Sequence, residues 1–260
     1  MTQEHIVKSY DAALKGLKAS IARMGGIVDN EIDGAMEALL KGNSEEAHRI
    51  IQSDQELDDL EQDVEQQVTS VLALRQPMAE DLRQVLAALK VSSALERIGD
   101  FAANIAKRST VLNRAGPRIR LQPTLPEMAR QVRSLVQSSI DAYIDDDDAK
   151  AHDVWVADRH VDELYNSLFR ELLTYMMEDP RSITPCTHLL FIAKNLERMG
   201  DHATNIAEIV HFTVTGKPIE ETRPKSDDTS YAMVVPPAKV SSGGGAGGGR
   251  GQEDTGIEER

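Results

Sequence analysis

The sequence predicts an all-α protein that consists of two tandem antiparallel three-helix bundles, related by internal duplication, and a disordered C-terminal tail. Three observations support this prediction. Apolar residues recur three or four positions apart through the first 216 residues, as on the buried side of a helix. The stretch LERIGDFAANIA at residues 95–106 returns as LERMGDHATNIA at residues 196–207. From about residue 217, Gly, Pro, Ser and charged residues replace the apolar pattern.

Helix-breaking residues divide the first 216 residues into six segments. Each segment has about 20 to 35 residues, which corresponds to about 30 to 50 Å of helix. Breaks are expected at residues 42–44, 76–79, 113–126, 145–148 and 178–182. The pair Gly25 and Gly26 marks a further point, inside the first helix, where a kink or a break is expected.

The six helices form two sets of three. Leu57 and Leu60 of the second helix have counterparts 104 residues later, at Val161 and Leu164, and this offset falls to 101 after the loop around Pro180. Three amphipathic helices joined by short turns can bury one another's apolar sides. The predicted domains are therefore one bundle at residues 1–112, a second bundle at 113–216 and a tail at 217–260.

Acidic residues continue an apolar line on the third helix of each half. In the first half, the line of Leu82, Leu86 and Leu89 continues at helical spacing to Glu96, Asp100 and Asn104. The counterparts in the second half are Glu197, Asp201 and Asn205. Because acidic groups on the line of a core need compensation, we interpret both stretches as candidate cation sites.

The preceding helix of each half adds two Asp residues one turn apart. These pairs are Asp54 with Asp58 and Asp158 with Asp162. Carboxylates at this spacing repel each other, and together with the motif acids they give an all-oxygen ligand set suited to hard cations, iron or manganese. Asn104 and Asn205 are additional candidate ligands. A solvated acidic surface is the alternative interpretation of any single pair, but repetition in both halves favours a site.

Two further patterns bear on this interpretation. Gly99 and Gly200 lie inside the repeated helices, where Gly is destabilising, which suggests close backbone approach or room for a ligand. Glu45 and His48 form one E-x-x-H pattern, but di-iron bundles need two, and Ala149 stands at the counterpart of Glu45. We therefore assign Glu45 and His48 to the surface.

Composition excludes several classes of partner. The formal net charge is −14 and aromatic residues make up 4% of the chain, so a nucleic-acid partner and an anionic membrane surface are not expected. No stretch of the sequence has the length of apolar residues needed for direct membrane insertion. The one cysteine, Cys186, cannot form an internal disulfide, which indicates a reducing compartment and a cytoplasmic protein.

These motifs resemble those of the PhoU family of phosphate-transport regulators. The resemblance covers nearly all of residues 1–216. It includes the two LER(I/M)GD stretches, DQELDDLE at 54–61 and DRHVDELY at 158–165, LALRQPMAEDLRQVLAALK and FRELLTYMMEDPRSI. It implies a cytoplasmic homodimer that restrains phosphate uptake and phosphate-starvation signalling. The partners that it implies are the ATPase subunit of the phosphate ABC transporter and a membrane sensor histidine kinase.

The resemblance also implies metal at the acidic motifs, a divalent or trivalent ion such as iron, manganese, magnesium or zinc. The residues it points to are Glu96, Asp100, Glu197 and Asp201, completed by Asp54, Asp58, Asp158 and Asp162. His202 follows the motif Asp in the second copy as is common in the family, whereas Phe101 stands there in the first copy, so the two sites are expected to differ.

Two functions remain open at this stage. The first is a non-enzymatic regulator that acts by protein–protein contact. The second is a carboxylate-bridged metal enzyme or a metal-storage bundle, which would use the same acids but lacks paired E-x-x-H ligands.

Overall fold

The computed structural model describes residues 2–75, 77–114 and 123–221, and over those residues the chain forms helices and no strand. The helices are α1 (Thr2–Lys41), α2 (Ser44–Arg75), α3 (Glu80–Arg114), α4 (Thr124–Asp145), α5 (Asp148–Glu178) and α6 (Ile183–Thr215). A single 3₁₀ turn, Pro180–Ser182, precedes α6. The all-α prediction is thus confirmed, and α1 continues through Gly25 and Gly26 without a break.

The first connection of each half has the same geometry. Gly42 and Asp146, which are 104 residues apart, both have positive φ angles, of 71° and 51°. The next residue, Asn43 or Asp147, donates its backbone N–H to the carbonyl five positions earlier, at 3.1 and 2.9 Å. Its side chain then accepts a hydrogen bond from the N–H three positions later, at 3.2 and 3.0 Å, and so caps the next helix. The duplication therefore extends to the turns.

Each set of three helices packs around a core, and the two sets also pack against each other. Helices α1, α2 and α3 are in mutual contact, as are α4, α5 and α6, while α3 contacts α6 and α1 contacts α4. Along the α3–α6 contact, Arg83 lies beside Thr213 and Arg108 lies beside Phe191, so the two helices are antiparallel. The four helices α2, α3, α6 and α5 are neighbours in that order, with α1 and α4 across from them.

The α1–α4 contact depends on a small residue and on charge. A Cβ atom at Gly25 would lie 2.8 Å from Cδ1 of Ile140, so Gly allows α4 to approach the backbone of α1. Beside this contact, Arg133 of α4 donates from Nε to Asp29 at 2.5 Å and from Nη1 to Asp33 at 2.7 Å. Gly25, one of the two glycines predicted as a weak point, is therefore a packing site.

The described helices leave the predicted domain boundaries untested. Helix α3 ends at Arg114, α4 begins at Thr124, and residues 115–122 are outside the described chain, so the division at residue 112 stays a prediction. Helix α6 ends at Thr215, and residues 217–221 continue without regular structure. The disordered-tail prediction for residues 222–260 falls outside the described residues. Among the helices that are described, none combines the length and the apolar character of a membrane span.

Candidate functional site

The acidic motif of the first half lies at the edge of the core. Leu95 and Ile98 of α3 are fully buried, whereas the side chains of Glu96 and Asp100 on the neighbouring surface keep 16% and 37% of their area exposed. Leu86, on the predicted apolar line, is 38% exposed. That line is therefore not the core line of α3, and the acids border the core instead of interrupting it.

Burial and like charge both raise the pKa of acids in the first half. Burial, and then the nearby charge of Asp100, raise the pKa of Glu96 to about 7, although Arg97 opposes this shift. The same two causes, burial first, raise the pKa of Asp54 on α2, and Lys107 opposes that shift. Arg97 lies 3.5 Å from Glu96 and donates to Asp100 at 3.3 Å. The fold therefore brings Asp54, Glu96 and Asp100 into one electrostatically coupled cluster.

The corresponding acids of the second half are more deeply buried. Asp158, Asp162 and Glu197 keep only 3%, 4% and 5% of their area exposed. Lys194, one turn before Glu197 on α6, lies 2.9 Å from its Oε1 atom and thus compensates its charge. Asp201 is half-buried, as Asp100 is in the first half. The two acidic sites therefore differ mainly in the burial of Glu197 and of the two Asp residues of α5.

Both motif glycines make room for a carboxylate, but from different helices. A Cβ atom at Gly200 would lie 2.5 Å from Oδ1 of Asp158, which comes from α5. In the first half, a Cβ atom at Gly99 would lie 3.0 Å from Oε2 of Glu31, which comes from α1, and 2.3 Å from Cδ2 of Leu57. The expectation of close approach at these two glycines is therefore confirmed.

Glu31 is a functional candidate that the sequence-based prediction did not include. It is 2% exposed, its Oε1 accepts a hydrogen bond from Ser53 Oγ at 2.8 Å, and no described residue hydrogen-bonds to its Oε2. Burial, and to a lesser degree the charge of Asp54, raise its pKa to about 7. The available signal was that Glu31 continues the apolar spacing of Met24 and Val28.

An aromatic pair lies between the two motifs, on the α3–α6 contact. The rings of Phe101 and His202 are 5.7 Å apart, and the guanidinium of Arg198 lies 5.9 Å from the centre of the Phe101 ring. Burial lowers the pKa of His202, and the charges of Arg97 and Arg198 lower it further, although Asp201 opposes them. Phe101 of the first motif and His202 of the second therefore form a ring contact between the two motifs.

The predicted ligands of the described chain do not have the geometry of a metal-coordination site. All eight predicted carboxylates are within the described chain, and in that part of the protein no three His, Cys, Asp or Glu side chains are arranged to hold a metal ion. Asn104 is exposed, and Asn205 faces a groove between α3 and α6. Metal binding at these residues therefore stays a prediction.

Comparison with protein families identifies the two halves. The family model described as "PhoU domain" matches the chain twice, at residues 21–109 and 125–210. The phosphate-specific transport system accessory protein PhoU homolog of Caulobacter vibrioides is 48% identical over 224 residues, which cover 86% of this chain and 97% of that protein. The homolog from Zymomonas mobilis is 49% identical over 217 residues, covering 84% and 91%.

Solved structures agree with this result. The crystal structure of PhoU from Pseudomonas aeruginosa superposes with a TM-score of 0.78 at 36% identity and covers 80% of this chain and 100% of that one. The phosphate transport system regulatory protein PhoU from Streptococcus pneumoniae gives a TM-score of 0.75 at 28% identity, covering 82% and 100%.

Proposed function

This chain belongs to the PhoU family, and we propose that it restrains phosphate uptake as a cytoplasmic accessory protein of a phosphate-specific transport system. The observation that carries the proposal is the near full-length match, over both halves, to proteins named as accessory proteins of that system. Its role therefore lies in the regulation of phosphate transport. It acts on the transporter's ATPase subunit and on a membrane sensor histidine kinase by protein–protein contact, and it does so as a homodimer.

The first acidic site is the better candidate for contact with a partner. Glu96 and Asp100 are only half-buried, whereas three of the four acids of the second site are buried and Asp201 alone is half-buried. A partner that brings a basic side chain or a bound cation to Glu96 and Asp100 would relieve the repulsion that raises the pKa of Glu96. The more deeply buried second site also contributes to the packing of α5 against α6, where Gly200 makes room for Asp158.

The acidic sites bind metal ions in this proposal. Carboxylate oxygens suit hard cations as well as iron and manganese, and the raised pKa of Glu96 indicates a cluster that a cation would stabilise. Glu96 and Asp100 with Asp54 and Asp58 would hold the ion in the first half, after rotation of their exposed ends. The ion supplies positive charge that neutralises the cluster.

We propose that the protein is not an enzyme. The chain has two E-x-x-H patterns, and neither forms a di-iron pair with the other. Glu45 and His48 are exposed at the start of α2. Near the end of α6, Glu208 accepts a hydrogen bond from Trp155, and His211 pairs with Asp148. The metal-enzyme and metal-storage alternatives remain distinguishable by turnover and by stoichiometry. Oxygen consumption by the metal-loaded chain would support the enzyme, and many ions per chain would support storage.

Two measurements test the regulatory proposal. Deletion of the gene should raise phosphate uptake in phosphate-replete cells, and the tagged chain should co-purify with the transporter ATPase more strongly at high phosphate than at low phosphate. The Glu96→Ala, Asp100→Ala variant should lose this co-purification. The matched control, Glu45→Ala with Asp59→Ala, removes two exposed acids of α2 and should retain it. Unchanged uptake after deletion would contradict the proposal.

Metal binding is tested separately. Protein purified without chelator should contain less metal in the Glu96→Ala, Asp100→Ala variant than in the parent chain, with the same helical content, because removal of like charges relieves repulsion. The Glu45→Ala, Asp59→Ala control should match the parent. Equal metal content in all three proteins would refute the ligand assignment and leave the regulatory proposal intact.

A further inference from the structure

A groove of about 470 Å³ opens between the first half of α3 and the last half of α6. Its lining includes Arg83, Leu86 and Lys90 from α3, Trp155 from α5 and Phe212 from α6. This volume is within the range of binding pockets for small ligands and short peptide segments. The groove lies apart from the motif acids, and the proposed function makes no use of it.

The groove has a defined floor and rim. Arg83 donates from Nε to the backbone carbonyl of Thr213 at 3.3 Å, and Trp155 donates from Nε1 to Glu208 at 3.2 Å. These hydrogen bonds fix the guanidinium of Arg83 on one side of the groove and the indole ring of Trp155 on the other side. Leu86 and Phe212 are 38% and 42% exposed in the groove, so two large apolar side chains are left without full cover.

The chain leaves α6 along this groove. Gly216, with φ of 74°, ends the helix in the left-handed conformation and turns the backbone towards Arg83. Ile219 then packs against the core, and Glu221, the last described residue, lines the groove. The rest of the chain therefore starts at the rim of an open apolar surface.

We propose that residues 231–235 of this same chain, YAMVV, dock in the groove between α3 and α6. This segment is a compact apolar run within the polar tail, and nine residues separate it from Glu221. Nine extended residues span about 30 Å, which is enough to reach any part of the groove. Asp227 and Asp228 precede the segment and complement Arg83 and Lys90 on the groove wall.

Tethering favours this occupant over a second copy of the chain. A short linker gives its attached segment an effective concentration on the order of 1 mM, far above ordinary protein concentrations. The closure of a nine-residue loop costs little more than that of a shorter one, because the entropic cost grows only with the logarithm of loop length. Docking covers Leu86 and Phe212 and straps the C-terminal segment across the junction of the two bundles.

Disulfide trapping in the full-length chain tests this proposal. With Leu86→Cys and Tyr231→Cys, oxidation should give a disulfide within one chain, while native Cys186 is buried and does not compete. Adding Val234→Ser and Val235→Ser removes the apolar anchor but keeps the tether, and should slow the trapping at least tenfold. Val240→Ser, which lies outside the segment, is the matched control and should leave the rate unchanged.

Two results would overturn the proposal. Equal trapping rates with and without the two Val→Ser changes would mean that the segment is only tethered and does not dock. Disulfides formed mainly between chains, at a rate that rises with protein concentration, would assign the groove to a second copy. Leu86 is 38% exposed, so its replacement by Cys removes no core side chain, and circular dichroism of each variant checks that the fold is retained.

Discussion

Glu31 carries a burial cost that its counterpart lacks, because Leu135 stands 104 residues later, at the equivalent position of the second half. The folded chain keeps the Glu31 carboxyl protonated up to about pH 7, whereas its usual pKa is 4.5. Between pH 4.5 and pH 7, Glu31 is protonated in the folded chain and ionised in the unfolded chain, so a rise in pH favours unfolding. The free energy of unfolding should fall by about 3 kcal/mol from pH 4.5 to pH 7 through this group, and stay level above pH 7.

The Glu31→Leu variant should lose this part of the pH dependence. Ser53 keeps a partner in the variant, because its Oγ also donates to the carbonyl of Ile50 at 3.0 Å. Urea unfolding at pH 5 and pH 7.5 measures the effect, and the variant should gain stability over the parent at the higher pH. Glu65→Gln, at an exposed acid of α2 that does not contribute to the pKa of Glu31, should show the parent's pH dependence. An identical profile for Glu31→Leu would mean that Glu31 is ionised in the folded chain at pH 5.

The glycines of the helices should respond oppositely to the same substitution. Gly99→Ala places a methyl group 2.3 Å from Leu57, inside the core, and should lower the free energy of unfolding by about 1 to 3 kcal/mol. Gly26→Ala meets nothing within 4 Å on an exposed part of α1, and should raise it by about 1 kcal/mol through helix propensity. Thermal unfolding of both variants measures this difference in stability. A stabilised Gly99→Ala variant would show that the Leu57 side chain can move to accommodate the methyl group.

At the level of elements, the contact between α1 and α4 combines packing with a bidentate ion pair. Arg133 donates to both oxygens of Asp29, at 2.5 and 2.8 Å, and to Asp33, and the Asp29 side chain is only 19% exposed. Partly buried, bidentate pairs of this kind contribute more than exposed single contacts. The pair therefore fixes how the two bundles meet.

Arg133→Ala should lower the free energy of unfolding by about 1 to 2 kcal/mol at low ionic strength. The loss should shrink in 1 M salt, because the exposed Asp33 contact is screened there. Arg23→Ala removes a single exposed pair with Glu56 and should have a smaller effect. Urea titrations at both salt concentrations compare the two variants. An equal decrease in the free energy of unfolding for both would mean that the α1–α4 ion pair is no stronger than an exposed single ion pair.

The sequence predicted the helices and turns well because these depend on local chemistry. A glycine that follows an apolar helical pattern, as Gly42 does, indicates a left-handed turn at the helix end, and apolar spacing of three and four indicates a helix. The contact between the bundles could not be predicted in this way. Nothing local shows that Gly25 faces Ile140, or that Arg133 reaches Asp29, since those residues are more than 100 positions apart in sequence.

The site was predicted in part for the same reason. Repetition pointed to Glu96 and Asp100, and the fold does bring them together with Asp54. Spacing alone did not reveal that the acids border the core, or that Glu31 approaches Gly99 from α1. Burial of an acid is set by what the neighbouring helices place against it, so two copies of one motif can have different surroundings.

At the scale of the whole molecule, the α3–α6 contact joins the two halves over a long distance. It extends from Arg83 and Thr213 past the Phe101–His202 rings to Arg108, which lies 4.2 Å from the Phe191 ring centre. Together with the α1–α4 contact, this interface makes the core of one bundle continuous with that of the other. Unfolding of either half would expose the side of α3 or α6 that its partner covers. The two halves should therefore unfold as one cooperative unit.

The single tryptophan allows a direct measurement of this coupling. Trp155 is 3% exposed in α5, so its fluorescence reports the second half, whereas Gly99→Ala perturbs the core of the first. If the halves unfold together, Gly99→Ala should lower the urea midpoint seen by Trp155 fluorescence and by circular dichroism by the same amount. Gly26→Ala, the control in the same half, should raise both midpoints together. A fluorescence midpoint that stays at the parent's value while the circular dichroism transition broadens would mean that each bundle unfolds on its own, and that the α3–α6 contact is too weak to couple them.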